Sequence, residues 1–193
     1  MPGRQAKLLS APLLRHMLRH VQQRSNNPVR DQVIILLSVR AGLRAAEIAQ
    51  LRWPMVLDAS GRVADTLVIT DRIAKKGGGR RIPLHAELRR ALQALRLAAA
   101  DRQGPVVVSA RGGALRPNSI VNWFVALFDA LGVEGCSSHS GRRTFITQAA
   151  RQAHRAGCSL RDVQLLAGHR SIETTQRYID GDTKAQRKLV DLL

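Results

Sequence analysis

Leu13, Leu14, Met17, Leu18 and Val21 recur at the three- and four-residue spacing of one helix face, directly after a helix-start signal at Ser10-Ala11-Pro12. Ser25-Asn26-Asn27-Pro28 breaks that run. A second helix is expected over 29–40, ending near Gly42, and a short one over 45–51, stopped by Pro54. The period then changes. Three short apolar segments, 55–57, 63–69 and 80–84, are separated by Asp58-Ala59-Ser60-Gly61 and by Lys75-Lys76-Gly77-Gly78-Gly79, and predict strands joined by turns. After Pro83 the helical spacing returns, with Leu88, Leu92, Leu95 and Leu97 inside a helix over 86–101. Val106-Val107-Val108 predicts one short extended segment. Further helices are expected over 117–131, 141–156, 160–167, 172–179 and 183–192. The fold class is mainly α with a small antiparallel β-sheet, without internal repeat or interdomain linker.

Composition narrows the partners. Hydrophobic residues make up 45% of 193, enough for a packed core, and with aromatics at 3% that core must rest on Leu, Val, Ile and Ala. Lys and Arg outnumber Asp and Glu by 31 to 14, a formal charge of +17 that calls for a polyanionic partner and salt-sensitive affinity. Arginine dominates lysine, which suits bidentate contacts to phosphate. A ribosomal protein would share this composition. Cys136 and Cys158 make no disulfide framework, and the apolar stretch of the N-terminus carries charges unlike those of a signal peptide. No apolar run reaches bilayer length. The expected setting is cytoplasmic, with no membrane partner.

Three constellations carry candidate chemistry. In Ala41-Gly42-Leu43-Arg44-Ala45-Ala46-Glu47-Ile48, Gly42 permits a turn, Arg44 stands where a helix begins, and Glu47 can lie on its face and hold the guanidinium. An ordinary capped helix with a solvated arginine has the same pattern. In His139-Ser140-Gly141-Arg142, the three-residue spacing lets His139 and Arg142 meet one phosphate. Gly168-His169 is followed nine residues later by Tyr178, the sole tyrosine. A lone tyrosine is more often a packing residue, but a phenolate surrounded by cations can attack a phosphodiester. Arg44 and Arg142 suit the negative charge that grows on the non-bridging oxygens. A different chemistry, zinc binding, is offered by Cys136-x-x-His139 and His154-x-x-x-Cys158. No clustered carboxylates of the kind that hold two Mg²⁺ ions stand out, and no P-loop is present.

In their order and spacing these elements resemble the catalytic domain of the tyrosine recombinases, the phage integrase family, from about Ser10 to the C-terminus. The resemblance lies in the first arginine box (41–51), in H-x-x-R (His139 to Arg142) and in LLAGHRSIETTQRY (Leu165 to Tyr178). It implies a recombinase catalytic-domain fold and a DNA strand transferase that works through a 3′-phosphotyrosyl intermediate, without metal, cofactor or ATP. Tyr178 would be the nucleophile, His139 the general acid/base and His169 a hydrogen-bond donor to the phosphate, with Glu47 orienting Arg44. The family also uses a lysine on a β-turn before R-x-[VI]-P-L, here Arg80-Arg81-Ile82-Pro83-Leu84. That lysine is Lys75, eight residues before Pro83, with Lys76 the alternative after a one-residue shift. Lys76, Arg80, Arg143 and Arg170 are the further expected DNA contacts.

The implied partner is a double-stranded recombination site bound by a homo-tetramer, with nucleoid association when on DNA. The segment 183–193, carrying Leu189, Val190, Leu192 and Leu193, would dock onto a neighbouring protomer or pack on its own domain. Residues 1–9 are expected to be a short basic leader and 10–193 the catalytic domain, leaving no room for the separate N-terminal DNA clamp of most members. At Ser140-Gly141 the family more often has an acidic and an apolar residue. Gly141 is expected to weaken its helix start by ~1 kcal/mol relative to alanine. A catalytically inactive DNA-binding regulator and a type IB topoisomerase are the alternatives.

Overall fold

The computed structural model describes residues 6–74, 78–99, 101, 103–178 and 190–191. The chain divides into two compact units, Met1–Phe145 and Ile146–Leu193. Among the described residues, five helices, the start of a sixth and a hairpin build the first. Ser10 caps α1 (Ala11–Arg24) by accepting from the Leu13 amide, and Asn27 caps α2 (Pro28–Arg40) through the Arg30 amide, each helix carrying a proline in its first two positions, where the missing N–H has no partner in the helix to lose. The middle of α2, from Val33 to Val39, is buried on every side, so α2 is the axis of this unit; α1 and α4 (Ala86–Leu97) pack on it. α3 (Ala45–Gln50) packs on α5 (Pro117–Ala130). The buried Asp31 carboxylate joins the α1–α2 turn to α5, accepting from Ser25 Oγ at 2.6 Å, Arg30 Nε at 2.8 Å and Trp123 Nε1 at 3.3 Å. Trp53, Phe124 and Phe128 are buried, so three of the few aromatics join the aliphatic core.

β1 (Thr66–Ile69) and β2 (Arg80–Pro83) pair antiparallel, with Leu67 opposite Ile82 and Ile69 opposite Arg80. Leu67, Ile69, Arg80 and Ile82 are the buried set, the two-residue alternation of a sheet with one covered face. The expected strand at 55–57 is absent. Pro54 instead opens a 3₁₀ turn, Trp53–Met55, and Leu57 makes one isolated bridge to Val63. Val108 likewise makes only a bridge, to Ala114. The α4 helix stops at Leu97, short of residue 101.

α6 (Ser140–Gln152) begins in the first unit, and the boundary between units falls within it. The second unit continues with a 3₁₀ turn, His154–Ala156, then α7 (Leu160–Ala167) and α8 (Ile172–Gln176). The helix expected over 141–156 thus breaks before its last turn, where Gly157 takes φ 67°. The helix expected over 183–192 lies outside the described residues except for 190 and 191, as does the turn carrying Lys75 and Lys76.

Gly141 has a role that helix propensity does not capture. A Cβ there would strike Ser38 Oγ and come within 2.9 Å of Ser38 Cβ. The glycine is what lets the start of α6 lie against α2. The segment before α1 is tied to the same place: Lys7 N–H donates to Gly135 C=O at 2.9 Å, Leu9 N–H to Thr144 Oγ1 at 2.8 Å, and Arg143 Nη1 to Ala6 C=O at 2.6 Å.

Candidate active site

Arg44 is the N-cap residue of α3, in extended conformation, so its side chain leaves the helix start while Glu47 sits one turn on. Glu47 is 1% exposed and bonds twice to Arg44: Oε2 accepts from the Arg44 backbone N–H and Oε1 from Arg44 Nη1, both at 2.9 Å. The expected pairing of Glu47 with Arg44 is present, but a second guanidinium shares the carboxylate. Arg80 reaches from β2 with Nη1 on Oε1 and Nη2 on Oε2, both at 2.9 Å, a two-pronged fork. Burial works to raise the pKa of Glu47. The hydrogen bonds and charge of Arg80, with the backbone N–H and charge of Arg44, outweigh it and lower the pKa to about 2.

The side chain of Arg80, expected from the sequence as a DNA contact, is 4% exposed and turned into the unit. The strand period is the reason: Arg80 and Ile82 share the buried face, and Arg81 points outward. Arg143 is half-buried with one nitrogen on the Ala6 carbonyl.

Arg142 is 4% exposed, and its Nη1 donates to the Gly42 carbonyl at 2.6 Å. Gly42 has φ 63°, and a Cβ there would strike the Phe145 ring. Only glycine satisfies both conditions, and its carbonyl brings Arg142 to the turn two residues before Arg44. His139 is exposed just before α6, its backbone N–H donating to Ser137 Oγ at 3.2 Å and its carbonyl accepting from the Arg143 amide at 2.9 Å. The first unit thus gathers Arg44, Glu47, Arg80 and Arg142, with His139 at the head of the helix that carries Arg142.

In the second unit Gly168 ends α7 in the left-handed conformation, φ 62° and ψ 44°. Its amide bonds the Leu165 carbonyl and the His169 amide bonds the Gln164 carbonyl, each at 3.1 Å, a Schellman closure that turns the chain at His169. Buried Gln164 also donates through Nε2 to the His169 carbonyl at 2.9 Å, and Arg161 Nη1 holds the Gln164 Oε1 at 2.9 Å. The His169 ring is fixed through Nδ1, 3.0 Å from the hydroxyl of the fully buried Thr175. It stacks on the Tyr178 ring at 5.6 Å between centroids and 21° between planes. Tyr178 is half-buried, its amide bonding the Thr175 carbonyl at 3.0 Å, and Arg170 is exposed. Gln164 and Thr175 were not singled out from the sequence; no residue type or short spacing marks them. His154 and Cys158 are exposed, and among the described residues no group of three His, Cys, Asp or Glu is placed to hold a metal ion.

Among the described residues, the helices and the two-stranded sheet have the fold of a tyrosine recombinase catalytic domain. The chain belongs to the phage integrase family, which its residues 8–185 match. It is 34% identical over 159 residues to a tyrosine recombinase XerC of Methylobacterium sp. (strain 4-46), covering 80% of this chain and 46% of that protein. The crystal structure of XerA recombinase superposes with a TM-score of 0.72 at 21% identity, covering 100% of this chain and 65% of that one. A lambda integrase dimer bound to a COC′ core site superposes with a TM-score of 0.71 at 19% identity, covering 93% and 49%. At such identities the superpositions speak for the fold. The chain spans about half the length of the curated relatives it matches.

Proposed function

We propose that this chain carries out the strand-transfer step of site-specific DNA recombination, with Tyr178 as nucleophile. The observation that carries the reading is the placement of Tyr178 against His169, whose ring is held by Thr175 and whose backbone is closed by Gly168. In the scheme, the phenol oxygen of Tyr178 attacks the scissile phosphorus as its proton passes to His139. The phosphorus–oxygen bond to the 5′ carbon breaks, and Lys75, or Lys76 in its place, gives the departing oxygen a proton. A 3′-phosphotyrosyl ester remains. Attack by a 5′ hydroxyl reverses the steps, so the bond energy is conserved and no ATP is needed. Arg44 and Arg142 neutralise the non-bridging oxygens and His169 donates to one of them, which supplies charge stabilisation without a metal ion. Removal of one such donor lowers the rate by ~10²–10³.

The test is a duplex built from DNA flanking the gene and nicked beside the cleavage position, so that cleavage traps the intermediate. The expected outcome is a covalent adduct with the intact chain and none with Tyr178→Phe. No adduct from the intact chain on any such duplex would leave the reading of a DNA-binding regulator without catalysis.

The family's assembly extends the proposal to a homo-tetramer on DNA, with the segment 183–193 docking on a neighbouring protomer. Truncation after residue 181 is then expected to lower recombination between two sites far more than it lowers binding in a gel shift. Equal loss of both would remove the docking role.

A further inference from the structure

We infer that Arg80 is a positioning residue for Arg44, acting from β2 through the shared Glu47 carboxylate. The inference rests on the strand-transfer reading for its functional consequence and on geometry for the coupling itself. Three features make the coupling specific. The Glu47 carboxylate accepts two Arg80 nitrogens and, from Arg44, one guanidinium nitrogen and the backbone amide, all at 2.9 Å. It is 1% exposed, so water cannot take the place of a lost partner. Arg80 is fixed in turn because it opens β2, directly after a hairpin end where the Gly79 amide bonds Asp71 Oδ1 at 2.8 Å.

The exposures of the two arginines divide the labour. The Arg80 side chain is 4% exposed and the Arg44 side chain 23% exposed. Arg44 can present nitrogens outward while Glu47 holds its inner edge; Arg80 holds Glu47. Among the described residues, the cations acting on Glu47 are Arg80 from β2 and Arg44 from the start of its own helix. With Arg80 removed, burial acts on a carboxylate that keeps half its charge pairing, so its pKa must rise. Glu47 would then be protonated, and Arg44 released, at a higher pH than in the intact chain.

The experiment uses the full chain, with Arg80→Lys and Arg80→Gln. Carboxyl-carbon NMR follows Glu47 titration, the Nε–Hε resonance follows Arg44, and single-turnover adduct formation on the nicked duplex follows chemistry. Arg80→Gln is expected to raise the Glu47 titration above its native position, shift the Arg44 resonance and slow adduct formation by about 10²-fold at unchanged DNA affinity. It is also expected to move the acid limb of the rate profile upward. Glu47→Gln abolishes that limb, and in its background the Arg80 substitution adds little. Arg80→Lys, which keeps a point charge but not the fork, is expected to fall between, and serves if the glutamine variant does not fold. Unchanged Arg44 and Glu47 resonances overturn the inference, as does a rate that falls only with the folded fraction while the acid limb stays in place. If the intact chain forms no adduct, the strand-transfer reading falls, and the two resonances alone decide whether Arg80 positions Arg44.

Discussion

Glu47 is a buried carboxylate of the first unit with two guanidiniums on it. Such an arrangement gains little over an apolar core while intact, but breaking it strands buried charge at a cost of roughly 3–5 kcal/mol. Glu47→Gln is therefore expected to lower thermal stability by about that amount at neutral pH, read as a fall in melting temperature. The sign with pH follows from a folded pKa of about 2 against an ordinary 4.5. The stabilisation is fully present above 4.5 and is lost as pH falls through about 2. An acid titration of the intact chain should show this loss, and the glutamine variant should lack the Glu47 part of it. The pairing of Glu47 with Arg44 was legible in the sequence because the two lie three residues apart on one helix turn. Its pairing with Arg80, 33 residues away, was not. The outward or inward direction of Arg80 was within reach, since Ile82 two residues on fixes which strand face is buried.

At the scale of elements, the helix starts were written in residues that act locally. Ser10, Asn27 and Ser159 accept from amides three residues ahead, and Gly168 supplies the left-handed turn. Helix packing was not written locally. From propensity alone, Gly141→Ala should stabilise α6 by ~1 kcal/mol. The contact with Ser38 on α2 reverses the sign, because crowding a packed site costs typically about 1–3 kcal/mol. Gly141→Ala is expected to lower the melting temperature, and an increase would show that α2 and α6 can separate without penalty. The same region receives the strap formed by residues 6–9, through Arg143, Thr144 and Gly135. The basic leader expected over 1–9 therefore includes residues built into the first unit beside His139 and Arg142.

For the whole molecule, a charge of +17 would make the proposed DNA affinity a bulk electrostatic property spread over many side chains. Arg142→Ala is expected to abolish the covalent adduct while DNA binding persists and keeps its steep fall with salt, measured by gel shift or anisotropy across a salt series. A parallel loss of binding and adduct would mean that Arg142 serves mainly to seat the duplex. Among the described residues no helix is long and apolar enough to cross a membrane. The sequence by itself determined the main helices and the hairpin, the basic charge and the ordered boxes ending at Tyr178, because periodicity, caps and motif spacing are local properties of a chain. Tertiary structure decided which arginines face outward, which glycine is a packing contact, and how Thr175 and Gln164 hold His169. Those choices depend on side chains far apart in sequence or unmarked by residue type, and they are made only when burial forces each charged or polar group to find its partner.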